Sequence, residues 1–223
     1  MSRLSLQGVV FDVDGVLFDT ERLTQQTWLT VGNQMGWPQV SEHYLEFVGQ
    51  NRNDIHQKML KLFGPEFPKE EFMKTCSAYS QARMEREGVP MKPGVRDILD
   101  FLKARNIPIA LATSTGRERT LRRMEMTGLA SYFSAMITGD QVLHSKPDPE
   151  IYQIACRALG TDPAQTAAVE DSRNGILSAS RAGMKVIMVP DMIPPTPELD
   201  ALLFRRCTSL MEVRDFLAQQ LDA

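Results

Sequence analysis

The chain has 223 residues, of which 43% are hydrophobic and 24% are charged, and its formal net charge at pH 7 is -3. This composition is typical of a folded globular protein and excludes a disordered chain, and the length allows an α/β core with a smaller accessory domain. The acidic balance argues against nucleic acid as a partner. No apolar stretch approaches the roughly 20 residues that span a bilayer, so we expect no membrane partner either.

The cysteines and the residues before Asp12 indicate the cellular compartment in which the protein is expected. Cys76, Cys156 and Cys207 lie far apart and form no CxxC pair, which predicts buried free thiols in a reducing environment. The apolar run before Asp12 is too short and too closely followed by acids for a signal peptide. We therefore expect a cytoplasmic protein, and because nothing in the sequence suggests an obligate assembly, we expect a monomer.

Short apolar runs rich in β-forming residues alternate with helical patterns. The runs are 7–13, 108–113, 135–138, 167–170 and 185–190. Between them, Val95, Ile98, Leu99 and Leu102 have the spacing of an amphipathic helix. This alternation predicts an α/β fold with a doubly wound, Rossmann-like parallel sheet. In such sheets, ligands bind beyond the carboxyl ends of the strands.

One long segment interrupts the alternation. Residues 20–90 have helical periodicity with Gly and Pro breaks and no convincing strand, which predicts a helical cap domain inserted after the first strand. The core domain would comprise residues 1–19 and 91–223, with hinges at 18–21 and 88–94. A last helix is predicted over residues 208–221, with an N-cap at Thr208 or Ser209.

Acidic residues occur at the ends of two predicted strands. Asp12 and Asp14 project to the same side after the first strand, where two like charges are unfavourable unless a cation or a proton lies between them. Glu170 and Asp171 end the fourth strand. The alternative interpretations are a turn for the first pair and the cap of a following helix for the second.

Two further segments favour anion binding. Thr113 and Ser114 precede a helix predicted to begin near Arg117, and hydroxyls with free N–H groups at a helix N-terminus form an anion site, although an ordinary helix cap has the same pattern. Lys146 precedes a rigid Pro-Asp-Pro sequence at a predicted helix start. A single lysine in a loop is more often a solvated surface residue.

In order and spacing, the four segments together resemble the four motifs of the haloacid dehalogenase-like hydrolase superfamily. The resemblance covers the whole chain and includes the opening DVDGVLFDT, the stretch SKPDPEIY and the stretch VEDSRNGILSASRAGM. It points to the subgroup with a small helical cap after the first strand, which includes β-phosphoglucomutase-like phosphatases.

The resemblance implies a mechanism and a metal. Asp12 would attack phosphorus and form an aspartyl-phosphate, and Asp14 would protonate the leaving oxygen and then accept a proton from water. The cofactor would be Mg²⁺, a cation that prefers oxygen ligands. Its expected ligands are the Asp12 carboxylate, the Asp14 backbone carbonyl and Asp171, with Glu170 close by, directly or through water.

The resemblance also implies how a phosphate ester is held. Lys146, Thr113 and the backbone N–H of Ser114 would bind the phosphoryl oxygens. In the predicted cap, Asn51 and Arg52 resemble the substrate loop of β-phosphoglucomutases, in which the arginine binds a second phosphate. We therefore take both as candidate substrate-binding residues.

Several reactions of the superfamily are less consistent with these residues. Asp14 argues against a dehalogenase, because halide needs no protonation, and the first cap helix lacks the lysine of a phosphonatase. Thr24 stands where the mutases carry a histidine that delays attack by water. We expect a phosphatase that acts on small phosphomonoesters, such as sugar or polyol phosphates, with a sugar-phosphate mutase as the alternative. A non-catalytic member would usually lack the nucleophile or the lysine, and both are present.

Overall fold

The computed structural model describes residues 5–50 and 52–222. They contain a parallel six-stranded sheet with the order β3-β2-β1-β4-β5-β6. The strands are β1 (Gly8–Phe11), β2 (Ile109–Thr113), β3 (Ala135–Thr138), β4 (Thr166–Glu170), β5 (Lys185–Met188) and β6 (Arg205–Arg206). The predicted α/β fold with a doubly wound, Rossmann-like sheet is therefore confirmed.

Helices occupy the connections between the strands. They are α1 (Thr20–Gln34), α2 (Arg52–Phe63), α3 (Lys69–Glu87), α4 (Val95–Ala104), α5 (Arg117–Thr127), α6 (Glu150–Leu159), α7 (Arg173–Arg181), α8 (Pro197–Asp200) and α9 (Leu210–Asp222). The predicted last helix is α9, and Ser209 occupies its N-cap position, since its Oγ accepts a hydrogen bond from the N–H of Glu212.

The sheet is covered on both faces. Successive side chains of a strand point to opposite faces, and β1 shows this directly. Val9 and Phe11 lie in an apolar cluster with α4 and α9, whereas Val10 lies in a second cluster with α6 and α7. Every residue of β1, β2 and β4 is buried, which explains why these strands are visible in the sequence as continuous apolar runs.

The described residues between 20 and 87 form helices joined by turns and have an apolar cluster of their own. Trp28 is 3% exposed and packs against Tyr44, Phe47 and Phe72, with ring centroids 5.1, 5.1 and 5.4 Å away. Among the described residues of this segment there is no strand. Its independence as a cap domain stays a prediction.

The chain enters and leaves this helical segment through two paired linkers. The N–H of Asp19 donates to the carbonyl of Pro90 at 2.8 Å, and the N–H of Lys92 donates to the carbonyl of Leu17 at 2.9 Å. Asp191, just after β5, accepts a further bond from the Lys92 ammonium at 2.7 Å. The linkers are thus held close together at the edge of the sheet.

The three cysteines are free and buried, as predicted. In the part of the chain that the structure describes, no helix combines the length and the apolar character needed to cross a bilayer.

Candidate active site

The predicted site residues meet at one edge of the sheet. The central strands β1 and β4 are neighbours, and the direction in which the chain builds the sheet reverses between them. A crevice opens beyond the carboxyl ends of the strands at such a point. Asp12 follows β1 directly and Asp171 follows β4 directly, so two residues 159 positions apart face one crevice.

Gly15 allows the loop after β1 to approach Asp171. Its φ is +83°, a conformation that L residues with a side chain rarely adopt. A Cβ atom at this position would collide with the Asp171 carboxylate. Glycine is therefore required at position 15 for two reasons: the positive φ of the turn and the close approach to Asp171.

Lys146 is a buried cation in the crevice, with 5% of its side chain exposed. Its Nζ lies within hydrogen-bonding distance of Asp12 Oδ1 at 2.6 Å, Glu170 Oε1 at 2.6 Å, Ala112 O at 3.0 Å and Tyr152 Oη at 3.3 Å. The interpretation of this lysine as a solvated surface residue is therefore wrong. It joins the residues that follow β1 to those that end β4.

Glu170 is saturated with donors. Its Oε1 accepts from Tyr152 Oη at 2.6 Å as well as from Lys146. Its Oε2 accepts from the N–H of Asp171 at 3.2 Å and from the N–H and Oγ of Ser172 at 3.3 and 3.1 Å. Because both oxygens are engaged, Glu170 fixes the position of Lys146.

Asp14 accepts three short hydrogen bonds. Thr20 Oγ1 and Arg123 Nη1 each donate to Oδ1 at 2.6 Å, and Thr115 Oγ1 donates to Oδ2 at 2.6 Å. Burial by itself raises the pKa of Asp14, but the Arg123 charge and the bonds from Thr115 and Thr20 outweigh it, and the pKa lies below its ordinary value. This carboxylate is held ionised.

The two interpretations in which the polar segments only cap helices are not supported. The N-cap of α7 is Ser172, whose Oγ accepts from the N–H of Gly175 at 3.1 Å. Helix α5 is preceded by Gly116, and the N–H of Arg117 donates to the carboxylate of Asp140 at 3.0 and 3.2 Å. The acids after β4 and the hydroxyls after β2 are therefore not the N-caps of these helices.

The crevice carries more negative charge than its lysine balances. Burial raises the pKa of Asp12 to about 8, against the lowering effect of Lys146 and with the help of the charges on Glu170 and Asp14. Burial also raises the pKa of Asp171 well above its ordinary value, and Glu170 and Asp12 add to the effect. Although burial opposes it, the carboxylates Asp12 and Glu170 raise the pKa of Lys146, which stays charged.

These carboxylates fit a hard divalent cation. One ligand atom each of Asp12, Glu170 and Asp171 lies within 4.8 Å of the others, and all three residues are buried. Oxygen ligands and excess negative charge suit Mg²⁺. Since Glu170 is saturated, Asp12 and Asp171 are the side chains best placed for direct contact, and the predicted role of the Asp14 backbone carbonyl stays a prediction.

The residues predicted to bind phosphate lie beside β1. Thr113 ends β2 and is 1% exposed, and its Oγ1 accepts from the N–H of Thr115 at 3.1 Å. Ser114 is exposed, and Gly139 packs so closely on its carbonyl that a Cβ there would collide with it. Their contact with a phosphoryl group stays a prediction.

Gly49, which precedes the predicted substrate-binding residues, lies next to the core. Asn51 falls outside the described residues, and Arg52 is the first residue of α2, so their roles stay predictions. The carbonyl of the preceding Gly49 accepts a hydrogen bond of 2.9 Å from Asn174 Nδ2, in the first turn of α7. The helical segment therefore contacts the core close to Asp171.

Four side chains of the site were missed by the sequence analysis. Tyr152 lies in the apolar stripe of α6 and looks like a core residue, and Arg123 lies among other basic residues of α5. Thr20 and Thr115 stand inside or beside segments already identified by sequence. Thr20 directly follows Asp19, and Thr115 directly follows the residues predicted to bind phosphate; these positions were the signal that could have revealed them.

A comparison with protein families identifies the class of protein. The family model described as "Haloacid dehalogenase-like hydrolase" matches residues 9–189. The chain belongs to this family.

Relatives narrow the activity within the family. The phosphorylated carbohydrates phosphatase of Thermotoga maritima is 34% identical over 182 residues, which cover 82% of this chain and 84% of that protein. A pyrophosphatase, PpaX of Oceanobacillus iheyensis, is 30% identical over 186 residues, or 83% of this chain and 84% of that protein. These relatives indicate a phosphoric monoester hydrolase.

A solved structure of the same family has a similar fold. A haloacid dehalogenase family hydrolase from Deinococcus radiodurans, with bound phosphate and sodium, matches with a TM-score of 0.78 and 26% identity, covering 97% of each chain.

Proposed function

We propose that the chain is a Mg²⁺-dependent phosphatase that hydrolyses small phosphomonoesters, such as sugar or polyol phosphates, through a phosphorylated Asp12. The observation that carries the proposal is the environment of Asp12. Its carboxylate is 2.6 Å from the Lys146 ammonium and beside Asp171, and it stands two residues before Asp14. A carboxylate that attacks an anionic phosphate needs positive charge nearby, since the two anions otherwise repel each other.

In the first step, an oxygen of Asp12 attacks phosphorus opposite the leaving oxygen, and the bond from phosphorus to that oxygen breaks. Lys146 holds Oδ1 of Asp12, which orients the carboxylate. Asp14, which is ionised in the free protein, takes up a proton from solvent when the ester binds and delivers it to the departing oxygen. Thr20 supports this role, because its hydroxyl bonds to Asp14 from the start of α1 and links the helical segment to the acid–base residue.

In the second step, Asp14 takes a proton from water, which attacks the phosphorus of the phosphorylated Asp12. Phosphate leaves and the carboxylate is restored. The ionised state in which Arg123, Thr115 and Thr20 hold Asp14 supports this step, because only the ionised form accepts a proton.

The residues Asp12 and Asp171 would hold the cation, which supplies charge neutralisation at the phosphoryl oxygens when it is bound. Lys146 would share that task after substrate binding, and Thr113 with the N–H of Ser114 would complete the phosphate contacts. We further propose that residues 20–90 form a cap over the crevice and that residues 1–19 with 91–223 form the core, since Gly49 already contacts α7.

The mutase alternative is not favoured. Thr24 occupies the position of the mutase histidine, and its hydroxyl donates to the carbonyl of Thr20 at 2.8 Å. A hydroxyl bound within its own helix cannot replace an imidazole in holding the acid–base residue. Because no histidine at this position delays the attack of water, the phosphorylated Asp12 would be hydrolysed.

A screen of phosphate release tests the proposal. Sugar, polyol and nucleotide monophosphates would be assayed with Mg²⁺ and with EDTA, together with β-glucose 1-phosphate and a bisphosphate primer. We expect free phosphate from sugar or polyol phosphates, with Mg²⁺ only. Conversion of β-glucose 1-phosphate to glucose 6-phosphate without free phosphate would replace the phosphatase by the mutase.

A further inference from the structure

Tyr152 is a fully buried residue of α6 whose hydroxyl contacts two charged side chains of the site. Its Oη donates to Glu170 Oε1 at 2.6 Å and lies 3.3 Å from Lys146 Nζ. The Lys146 ammonium also lies 4.9 Å from the centre of the Tyr152 ring. The mechanism proposed above gives this tyrosine no part, although it contacts the lysine on which both steps depend.

The core of the protein sets the position of the Tyr152 hydroxyl. The ring belongs to the apolar cluster on one face of the sheet, which also contains Val10, Ala168 and Ile176. A large ring in a closely packed interior has little room to move, and the hydroxyl at its end needs a hydrogen-bond partner there. The bond to Glu170 is therefore fixed by the packing of α6 on the sheet.

More oxygens surround the Lys146 ammonium than it has protons to donate. An ammonium carries three N–H donors, and four oxygens lie within 3.3 Å of Nζ, on Asp12, Glu170, Ala112 and Tyr152. Because the contact with Tyr152 is the longest and its O–H is directed to Glu170, the three donors go to the other three oxygens. Lys146 can bind a phosphoryl oxygen only when one of these bonds is given up.

The bond that can be given up is the one to Asp12. When an oxygen of Asp12 is bonded to phosphorus, its carboxyl group is uncharged and accepts hydrogen bonds more weakly. Glu170 keeps its charge through this step, so it holds the ammonium while one donor turns to the phosphoryl group. The oxygen of Glu170 that does so, Oε1, is the same oxygen that Tyr152 holds.

We propose that Tyr152 is a positioning residue for Lys146, because its hydroxyl fixes Oε1 of Glu170 and thereby keeps the ammonium beside Asp12 while the phosphoryl group is bound. The proposal rests on the phosphatase function proposed above. Tyr152 acts through Lys146, which contacts the phosphoryl group that all esters share, so its loss weakens every ester alike. The proposed cation ligands are Asp12 and Asp171, so its loss spares the binding of Mg²⁺.

The variant Tyr152→Phe removes the hydroxyl and keeps the ring in its apolar cluster. Calorimetry would measure the affinity for Mg²⁺ alone and the affinity for inorganic phosphate in the presence of Mg²⁺. Values of kcat and KM would be measured for para-nitrophenyl phosphate and for a sugar monophosphate. Tyr132→Phe is the matched control, since the Tyr132 hydroxyl also donates to a carboxylate, Asp100 Oδ1 at 2.6 Å, but in an exposed bond.

We expect Tyr152→Phe to lower the affinity for phosphate and the kcat/KM of both esters by a similar factor of about tenfold, and to leave the affinity for Mg²⁺ within about twofold of wild type. Tyr132→Phe should equal wild type in every measurement. An unchanged affinity for phosphate overturns the positioning role. A loss confined to one ester overturns it as well, and so does an equal loss of affinity for Mg²⁺, which a merely structural defect would cause.

A double-mutant cycle on phosphate affinity tests the route through the lysine. Lys146→Met should weaken phosphate binding by itself, and adding Tyr152→Phe should weaken it no further. A second tenfold loss in the double variant overturns the proposal, because the tyrosine would then act by another route. If Lys146→Met does not fold, the two affinities of Tyr152→Phe decide alone.

Two remaining outcomes have separate meanings. If Tyr152→Phe does not fold, Glu170→Gln decides, because its amide keeps the shape but lacks the charge that holds the ammonium. A fall in phosphate affinity is then expected, and an unchanged affinity is contrary to the proposal. Wild-type protein that neither binds phosphate nor releases it from these esters overturns the phosphatase function itself, which is a different result.

Discussion

Arg123 Nη1 lies 2.6 Å from Asp14 Oδ1, which joins helix α5 to the proposed acid–base residue after β1. The two residues are 109 positions apart. The arginine is largely buried, with 15% of its side chain exposed. Its Nε is buried and has no hydrogen-bond partner among the described residues. Its charge is the strongest of the influences that lower the pKa of Asp14 against burial.

Replacing Arg123 by Met should shift the pH dependence of turnover. Loss of the positive charge raises the pKa of Asp14, so its ionised form is reached only at higher pH. The acid limb of the pH–rate profile for phosphate release should move up by about one unit, which corresponds to about 1.4 kcal/mol of interaction. Arg122→Met is the control, because Arg122 is exposed and pairs with Glu85. An unmoved limb in Arg123→Met would show that this contact does not tune Asp14.

Asp12→Asn should abolish turnover while the protein stays folded. An amide cannot form the bond to phosphorus, so we expect a loss of at least about 1,000-fold and no labelling by beryllium fluoride. In EDTA its melting temperature should equal or exceed that of wild type, since a buried carboxyl with a raised pKa is removed. Asp97→Asn, an exposed change on α4, serves as the control. Retained turnover in Asp12→Asn would exclude this residue as the nucleophile.

Stability without metal should fall as the pH rises. The pKa of Asp12 is about 8 in the folded protein and 3.8 ordinarily, so between these values the folded state binds more protons than the unfolded state. The free energy of unfolding then decreases with pH across this window. Glu21, with a pKa of about 7, acts in the same direction, whereas the lowered pKa of Asp14 acts in the opposite one.

Mg²⁺ should reverse this loss. A cation that binds only the folded state adds stability by mass action, and it binds best when the carboxylates are ionised. Thermal unfolding at pH 6 and pH 8, in EDTA and in Mg²⁺, should show the larger rise in melting temperature at pH 8. Equal melting curves with and without Mg²⁺ at pH 8 would argue against a cation among these acids.

Gly15→Ala should damage the site more than its backbone strain alone explains. Gly36→Ala is the matched control, since Gly36 has a φ of +78° and nothing within 4 Å of a Cβ atom. We expect Gly36→Ala to cost about 1 kcal/mol, the usual strain of a side chain in this conformation. Gly15→Ala should cost more and also lose the stabilisation by Mg²⁺, because its methyl group displaces Asp171. Equal melting temperatures and equal Mg²⁺ responses of the two variants would contradict the close contact.

The sequence by itself determined the sheet and the position of most site residues along it. Strands buried on both faces must be apolar throughout, which is why the five longer strands are visible as apolar runs, and a residue that follows such a strand must lie at the carboxyl edge. Asp12, Lys146 and Asp171 could be assigned to one site on this ground and on their resemblance to a known family. The two-residue β6 escaped notice because both of its side chains are exposed arginines.

Only the tertiary structure decided which partners complete the site. Helical periodicity shows which face of α5 or α6 is apolar, but not that Arg123 reaches Asp14 or that Tyr152 reaches Glu170. Those contacts depend on the order of the strands and on where each helix crosses the sheet. For the same reason the sequence shows no role for the hydroxyl of Tyr152, because packing between distant segments sets which polar groups share a buried space.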